Sequence, residues 1–190
     1  MASSRQLGKA GMTNNLQSTN TTAISPWISR FADRVRKTGP ANGSVLDLAC
    51  GEGRHTAFFL DKGFGVTAVD RDVSALLPNK NLEILACDLE GGSPWPLGSR
   101  QFDAVIVVNY LYRPILPRII AAVAPGGILL YDTFAIGNAA YGRPKNPDFL
   151  LQSGELRAAV GGELEVLDYF HGLVAAPQPA IRQQICARRS

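Results

Sequence analysis

The run Val45–Arg54 combines an acidic residue with two glycines, because Asp47 is followed by Gly51 and Gly53. The residues around Asp47 are apolar and strand-like, whereas a helix-like segment follows Gly53. Glycine lets the backbone turn tightly and lets a ligand approach the chain without a Cβ in the way. The helix that follows would present free N–H groups and the positive end of its dipole. The pattern therefore predicts a ligand-binding turn between a strand and a helix.

The spacing of the glycines and the charge beside them distinguish two kinds of ligand. A turn that binds a dinucleotide has glycines spaced G-x-G-x-x-G, and here Thr56 occupies the third position. A carboxylate at Asp47 would repel a pyrophosphate, but it would suit a ligand that carries an ammonium and a sulfonium group. The pattern therefore favours S-adenosyl-L-methionine over NAD, and it counts against a dehydrogenase.

The elements predicted along the chain must position this turn. Ser25 and Pro26 predict a helix start, with Ser25 as the N-cap, and the turn 39–43 ends that helix. Apolar strand-like runs then alternate with helix-like segments. We predict strands at 44–49, 65–70, 82–87, 102–108, 128–134, 163–169 and 181–187, and further helices at 54–62, 71–80, 113–123 and 153–160, the last capped by Ser153.

Strands that alternate with helices imply a parallel sheet that is covered on both faces. The last two predicted strands have no helix between them, which predicts an antiparallel hairpin. The expected fold class is thus α/β: a doubly wound, Rossmann-like, seven-stranded, mostly parallel sheet with an antiparallel C-terminal hairpin. Ligands of such sheets bind at the carboxyl ends of the strands. Residues 1–22, which are polar, are predicted to form a flexible leader.

The composition excludes several other classes of protein. Hydrophobic residues make up 46% of the chain and charged residues 18%, as in ordinary globular domains. No apolar run approaches the roughly 20 residues of a membrane span, and no export signal is visible, so we expect a cytoplasmic protein without a membrane partner. The net charge of +3 comes from scattered arginines rather than from a basic stripe, so no nucleic-acid partner is expected. The three cysteines fit no zinc spacing, and no metal site is predicted.

The run Val45–Arg54 resembles the glycine-rich motif of class I S-adenosylmethionine-dependent methyltransferases. The resemblance spans residues 25–188, so that residues 23–190 would form a class I methyltransferase domain. It implies that S-adenosyl-L-methionine is the cofactor and that Asp70, at the end of the second strand, binds the ribose hydroxyls. It further implies that Asp88 meets the adenine amino group. The complete implied cofactor site comprises Asp47, Ala49, Gly51, Gly53, Asp70, Arg71, Asp88, Leu89 and Asn109.

Two polar and aromatic clusters, at 109–114 and 132–147, follow the fourth and fifth predicted strands. Loops from neighbouring parallel strands meet at one edge of a sheet, so both clusters are predicted to line one acceptor pocket. Arg143 or Arg113 would hold an acidic or oxyanionic group there. The candidate catalytic residues are Asn109, Tyr110, Tyr112 and Arg143.

These clusters also resemble a branch of small bacterial methyltransferases that is distantly related to tellurite-resistance methyltransferases. Tyr112 and Asp132 stand where that branch is expected to have His and Glu, so a histidine base is not available at position 112. If the reaction needs a base, the candidates are His171, Tyr110, Tyr112 and Asp132.

Together these features predict direct in-line transfer of a methyl group from the cofactor to a soft or neutral nucleophile on a small molecule. Such a reaction depends on proximity and orientation and needs no strong acid or base. The core takes up nearly the whole chain, which leaves no added domain to grip a protein or RNA. The alternatives are an RNA methyltransferase with salt-dependent RNA binding and a non-catalytic protein that binds an adenosyl ligand. The acceptor atom stays open, as does the choice between a monomer and a homodimer.

Overall fold

A computed structural model describes residues 23–37 and 43–190 of the chain. The predicted leader 1–22 and all but the last residue of the predicted turn 39–43 lie outside the described residues. The helices are α1 (Pro26–Phe31), which continues as a short 3-10 helix (Ala32–Arg34), α2 (Arg54–Asp61), α3 (Leu116–Ala121) and α4 (Glu155–Val160). The strands are β1 (Ser44–Leu48), β2 (Gly65–Asp70), β3 (Leu82–Ala86), β4 (Phe102–Val108), β5 (Val123–Phe134), β6 (Glu165–Val174) and β7 (Ala180–Arg188).

The seven strands form one sheet in the order β3-β2-β1-β4-β5-β7-β6. The first five strands in this order pair in parallel, whereas β7 pairs antiparallel with both β5 and β6. The predicted α/β class and the C-terminal hairpin are therefore confirmed. The strand order reverses between β1 and β4, and ligands of doubly wound sheets bind at the carboxyl ends of the strands on either side of such a point.

Alternation along the central strands builds an apolar core on each face of the sheet. In β4, Val105 and Val107 join one buried cluster, and Ala104 and Ile106 join the other. Successive side chains of a strand point to opposite faces, so a continuously apolar strand indicates burial on both sides. Helix α2 contributes Phe59 to the second cluster. The sheet is thus covered on both faces, which leaves its carboxyl edge for a binding site.

The crossover from β2 to β3 contains no helix, and the prediction of a short helix over 71–80 is wrong. The Asp72 carboxylate accepts hydrogen bonds from the backbone N–H and the hydroxyl of Ser74, at 3.0 and 2.6 Å. Local bonds of this kind compete with helix formation, and Pro78 supplies no N–H. The chain therefore crosses between the two strands as an irregular loop.

The helix predicted over 113–123 is shorter in the structure. A 3-10 turn (Arg113–Ile115) precedes α3, which ends at Ala121, and β5 begins at Val123 rather than at residue 128. Val123 pairs with Phe102, and a register shift follows in β5. A Cβ on Gly127 would lie 2.8 Å from the carbonyl oxygen of Phe102. Only glycine fits this close strand contact, which explains how a Pro-Gly-Gly segment continues a strand instead of ending a helix.

Helix α4 does not begin with the predicted Ser153 cap. Gly154 is the N-cap, in a left-handed conformation with φ 72°, and no side chain caps the helix. The Glu155 carboxylate instead accepts a hydrogen bond from the backbone N–H of Gln152, at 2.7 Å. Within the described ranges, no helix has both the length and the apolar character to cross a membrane.

Candidate functional site

A cleft of about 540 Å³ lies at the carboxyl ends of β1, β2, β3 and β4. Each strand end contributes one residue: Ala49 follows β1, Asp70 ends β2, Asp88 follows β3 and Asn109 follows β4. A cleft of this volume is large enough for a cofactor. We call it the acidic cleft. Its lining residues are Ala49, Asp70, Arg71, Cys87, Asp88, Leu89, Glu90, Asn109, Tyr110 and Phe149.

Ala49 and Asn109 have positive backbone φ angles, of 54° and 58°. Residues other than glycine rarely adopt this conformation, and asparagine tolerates it better than alanine does. Both residues line the acidic cleft, on the two strands between which the order of the sheet reverses. Strained backbone of this kind concentrates at functional sites. These two residues therefore make the junction of the two strand ends a candidate binding site.

The Asp70 carboxylate is held by two backbone N–H groups. Oδ2 accepts from Gly51 at 2.8 Å, and Oδ1 accepts from Asp72 at 3.1 Å. An ionised carboxylate has about four lone-pair sites, so each oxygen can still accept a further hydrogen bond. The Asp88 carboxylate is oriented in the same way by the backbone N–H of Glu90, at 2.9 Å. Both side chains are therefore fixed as acceptors at the cleft.

The two glycines shape the turn but are not among the lining residues of the acidic cleft. Gly53 caps α2 with φ 79° and is buried, and a Cβ there would overlap Leu76 Cδ2. Gly51 has φ 55°, is exposed, and has nothing within 4 Å of the place of a Cβ. Gly53 is needed for packing and for conformation, whereas Gly51 contributes a backbone N–H to Asp70.

Asp47 lies in β1, and it does not line the acidic cleft. Its side chain is buried, and Oδ2 accepts a hydrogen bond from Thr56 Oγ1 at 2.6 Å. Burial raises the pKa of this carboxyl from 3.8 to about 6, while the Thr56 bond acts in the opposite direction. Asp47 therefore ties β1 to the first turn of α2, and its role toward a cationic ligand stays a prediction. Thr56, at the position of a third glycine, is its partner.

Tyr110 and Tyr112 occupy different environments. Tyr110 lines the acidic cleft, but its hydroxyl is buried and has no hydrogen-bond partner among the described residues. Burial raises the pKa of this phenol, and the nearby negative charge of Glu90 raises it further. A phenol that stays neutral is a poor general base. Tyr112 precedes the 3-10 turn before α3, and it lines neither the acidic cleft nor the two clefts defined below.

Asp132, another candidate base, is the centre of a buried ion pair. Arg182 Nε donates to Asp132 Oδ1 at 2.6 Å, and Ser25 Oγ donates to Asp132 Oδ2 at 2.6 Å. Arg182 Nη2 also donates to Asn109 Oδ1 at 2.6 Å. Side-chain exposure is only 12% for Arg182 and 4% for Asp132. Both oxygens of Asp132 are engaged, so this carboxylate orients its neighbours rather than accepting a proton from an acceptor.

Neither histidine is placed to act as a base at the acidic cleft. His55 is buried, and its Nε2 accepts from the backbone N–H of Ser25 at 3.2 Å. Burial and the neighbouring charge of Arg54 lower the pKa of His55 from 6.5 to about 4. His171, the histidine considered from sequence, lies in β6 opposite Gln183 and lines none of the three clefts.

A second cleft, of about 420 Å³, contains the predicted Arg143 together with Arg54 and Arg182. We call it the arginine cleft. Asn109 lines this cleft as well as the acidic cleft. Arg182 was missed by sequence reasoning, because its place depends on the antiparallel register that sets it opposite Phe134 of β5. Its neighbours along β7, Ile181 and Gln183, carry no motif that marks a site.

Arg113, the other arginine considered for an anionic group, is engaged elsewhere. Its Nε and Nη2 donate to the two carboxylate oxygens of Glu155, at 2.6 and 2.9 Å. Nη1 and Nη2 also donate to the carbonyls of Asp148 and Leu150, at 2.7 and 2.9 Å. The prediction that Arg113 holds an anionic ligand is corrected: it fastens the loop before α4.

A third cleft, of about 400 Å³, has apolar walls that include Trp27, Val174 and Pro177. We call it the apolar cleft. It shares Arg54, Asn109 and Arg182 with the arginine cleft. Asn109 lines all three clefts and is therefore the residue at which they meet. Among the described residues, no group of three or more His, Cys, Asp and Glu side chains could hold a metal ion.

Solved structures share this architecture. TehB from Haemophilus influenzae aligns with a TM-score of 0.68 at 19% identity, over 90% of this chain and 64% of TehB. The 1,6-didemethyltoxoflavin-N1-methyltransferase of Burkholderia thailandensis, crystallised with its toxoflavin compound and S-adenosylhomocysteine, aligns at 0.60 and 20% identity, over 87% of this chain and 79% of that one. The fold is that of S-adenosylmethionine-dependent methyltransferases.

A further solved structure has the same fold. The glycopeptide N-methyltransferase MtfA, crystallised with S-adenosylhomocysteine, has a TM-score of 0.58 at 20% identity, over 95% of this chain and 94% of MtfA. The likeness to TehB confirms, for the fold, the predicted resemblance to the tellurite-resistance branch. This chain spans slightly less than two thirds of TehB, as the 64% coverage shows. No family model matches the chain, and no curated protein sequence matches it either.

Proposed function

We propose that the protein transfers a methyl group from S-adenosyl-L-methionine to a small-molecule acceptor. The observation that carries the proposal is the acidic cleft, in which Ala49, Asp70, Asp88 and Asn109 converge from four strand ends of a methyltransferase fold. When bound, S-adenosyl-L-methionine supplies a methyl group activated by a positively charged sulfur. The protein must hold the cofactor, admit the acceptor and align the two.

The lining of the acidic cleft fits this cofactor. Asp70, anchored by two N–H groups, retains lone pairs for the two ribose hydroxyls. Asp88 can accept a hydrogen bond from the adenine amino group, and Leu89 can pack against the ring. The lining contains three carboxylates, counting Glu90, and a single arginine, Arg71. This excess of negative charge suits a ligand with ammonium and sulfonium charges and disfavours the pyrophosphate of a dinucleotide. The preference for S-adenosyl-L-methionine over NAD thus rests on the carboxylates that line the cleft rather than on the buried Asp47.

The side chains around Asn109 orient an acceptor rather than remove a proton. Asp132 is paired with Arg182, the Tyr110 phenol is kept neutral by burial, and the buried His55 already accepts a hydrogen bond. Alignment of two reactants can account for much of the rate of a direct transfer. We assign Asn109 to the junction between donor and acceptor. Arg143 is assigned to the wall of the acceptor site, and Tyr110 to the wall of the cofactor site.

The small size of the arginine and apolar clefts supports a small-molecule acceptor. Their volumes, about 420 and 400 Å³, are those of ligand pockets. The toxoflavin methyltransferase with this fold was crystallised with bound 1,6-didemethyltoxoflavin, a small molecule. The proposal keeps the expectation of a cytoplasmic enzyme, monomeric or homodimeric, with no nucleic-acid partner.

Calorimetric titration with S-adenosylhomocysteine tests the cofactor assignment in wild type, Asp70→Ala and Asp61→Ala. Asp61 is an exposed carboxylate at the end of α2 and serves as the matched control. Loss of hydrogen bonds to a charged acceptor should weaken binding to Asp70→Ala by roughly 10- to 100-fold, while Asp61→Ala stays near wild type. Unchanged affinity in Asp70→Ala would overturn the ribose assignment. Lack of binding to wild type would overturn the proposed function.

Methyl transfer itself separates the proposal from its alternatives. Wild type should release S-adenosylhomocysteine from S-adenosyl-L-methionine in the presence of a small acceptor. Tight cofactor binding without transfer to any acceptor would favour a non-catalytic adenosyl-binding protein. Strong RNA binding that falls steeply with salt would favour an RNA methyltransferase.

A further inference from the structure

The arginine cleft carries an excess of positive charge. Arg54, Arg143 and Arg182 line it, and no carboxylate is found among the described residues that do so. Asp132 lines the adjoining apolar cleft and is paired with Arg182. Arg54 and Arg182 are close enough to repel each other, since the charge of Arg182 adds to burial in lowering the pKa of Arg54. Such an arrangement favours a bound anion.

Two of these arginines keep hydrogen-bond donors for a ligand. Arg182 uses Nε and Nη2 in its bonds to Asp132 and Asn109, and its Nη1 has no partner among the described residues. Arg143 forms no hydrogen bond or ion pair with the described part of the chain. Guanidinium groups match the planar geometry of a carboxylate. The carboxylate of Asp132, paired with Arg182, offsets part of the positive charge, so the site suits a single negative charge.

The apolar cleft continues from the same arginines. It shares Arg54, Asn109 and Arg182 with the arginine cleft, and its walls include Trp27, Val174 and Pro177. The Trp27 indole nitrogen already donates to the carbonyl of Ile185, at 3.1 Å, so it is not available as a donor to a ligand. A ligand that spans the two clefts would bury an apolar body beside Trp27 and place its charged end beside Arg182. Asn109 would then lie between this ligand and the acidic cleft.

We propose that the methyl acceptor is an organic monocarboxylate, whose charged group is bound by Arg143 and Arg182 and whose apolar body occupies the apolar cleft. The carboxylate is a binding group in this proposal and takes no part in bond making. The role as methyl acceptor rests on the proposed function. Recognition of the carboxylate can be measured without methyl transfer.

Equilibrium titration of the protein saturated with S-adenosylhomocysteine tests this recognition with matched pairs of probes. Hexanoate, benzoate, phenylacetate and indole-3-acetate are compared with the corresponding amides at constant ionic strength, and sodium phosphate and sodium sulfate are titrated alongside. The carboxylates should bind at least about tenfold more tightly than their amides, because hydrogen bonds to a charged group are lost in the amide. They should also bind more tightly than either inorganic anion, which lacks an apolar body.

Two variants and one control locate the effect. Arg143→Gln removes an exposed cation and should weaken binding of the preferred carboxylate by about 3- to 10-fold. Arg182→Lys keeps the charge beside Asp132, so the fold is retained, but it removes the planar fork and should reduce the preference for carboxylate over amide. Lys145→Gln removes an exposed charge two positions from Arg143 and outside all three clefts, and it should bind as wild type does.

The outcomes are distinct. Equal affinity for every carboxylate and its amide would overturn the proposal, as would equal losses in Arg143→Gln and Lys145→Gln. Tighter binding of phosphate or sulfate than of any carboxylate would overturn the assignment of an organic body. If S-adenosylhomocysteine does not bind, the proposed function fails, and the same comparison made on the protein alone still decides whether the cleft recognises carboxylates.

Discussion

The two halves of the carboxyl edge of the sheet differ in charge and in construction. Around β1, β2 and β3 the acidic cleft is held by contacts within and between consecutive strand ends, such as those of Asp70 with Gly51 and Asp72. Around β4, β5 and β7 the network of Ser25, Asp132 and Arg182 joins residues from opposite ends of the chain. The bonds that orient the acidic residues come from neighbouring strand ends, whereas the second network joins β5 and β7 to the segment before α1.

In the proposed function, this difference separates two tasks. An acidic lining suits a positively charged methyl donor, and a basic lining suits an anionic acceptor. Asn109 stands between them, because it lines all three clefts and accepts a hydrogen bond from Arg182. We call the side around β1, β2 and β3 the acidic half and the side around β4, β5 and β7 the basic half. Substitutions in one half should change stability without disturbing the other half, and the expected changes differ in size.

The largest expected effect comes from Asp132→Asn, in the basic half. It leaves the charge of the buried Arg182 without a partner, which should lower the free energy of unfolding by about 3–5 kcal/mol. Urea-induced unfolding measures this loss. Asp33→Asn is the control, because the Asp33–Lys62 ion pair leaves Asp33 90% exposed and its loss should cost less than about 1 kcal/mol. Similar losses in the two variants would show that the buried pair does not organise the basic half.

Asp47→Asn tests the support of the acidic cleft in β1, through the pH dependence of the free energy of unfolding. Burial raises the pKa of Asp47 in the folded protein from 3.8 to about 6. The folded state therefore binds the proton more tightly than the unfolded state, and the resulting stability is lost as the pH rises through about 6. Asp47→Asn should match wild type near pH 4 and gain up to about 3 kcal/mol by pH 7.5.

Free energies of unfolding measured for both proteins from pH 4 to 7.5 provide this comparison. The pKa of His55 is lowered to about 4, so its contribution to the free energy of unfolding changes with pH in the opposite direction. This contribution is the same in both proteins and cancels when their free energies are subtracted. A difference that does not change with pH would contradict the raised pKa of Asp47.

Gly53→Ala should cause the next largest loss of stability, and it acts in the acidic half. The left-handed backbone, with φ 79°, and the overlap of a Cβ with Leu76 should together cost roughly 2 kcal/mol. Gly51→Ala is the matched control, since its φ is 55° but no atom lies within 4 Å of the added Cβ. It should lose only about 1 kcal/mol. Thermal unfolding of both variants provides the comparison, and an equal loss would contradict the packing role of Gly53.

The fold was largely predictable because its signals are local. Apolar runs marked the central strands, and the Ser25-Pro26 pair marked the start of α1, where Ser25 Oγ accepts from the backbone N–H of Ile28 at 3.5 Å. The errors lie where a competing local bond or a tight contact prevails. The Asp72–Ser74 bonds replace the helix expected over 71–80, and the close approach of Gly127 to Phe102 extends β5.

The acidic cleft was predictable for the same reason, because Ala49, Asp70 and Asp88 each follow or end a recognisable strand. The environment of Asp47 was harder to predict, since the direction of its side chain depends on strand alternation. Leu46 and Leu48 face one core cluster, and Asp47 points away from them toward Thr56. Arg182 was not predictable. Its proximity to Asn109 follows from the register of β7 against β5, which no residue pattern in β7 reveals.

Thermal unfolding in the presence of S-adenosylhomocysteine, and separately of NAD, tests the cofactor assignment most directly. A ligand present at a hundred times its dissociation constant adds about 2.7 kcal/mol of stability, which should raise the Tm of a domain of this size by about 2–4 °C or slightly more. The acidic cleft predicts this shift with S-adenosylhomocysteine and none with NAD. No shift with S-adenosylhomocysteine, or a shift with NAD alone, would contradict the assignment of the cleft to S-adenosyl-L-methionine.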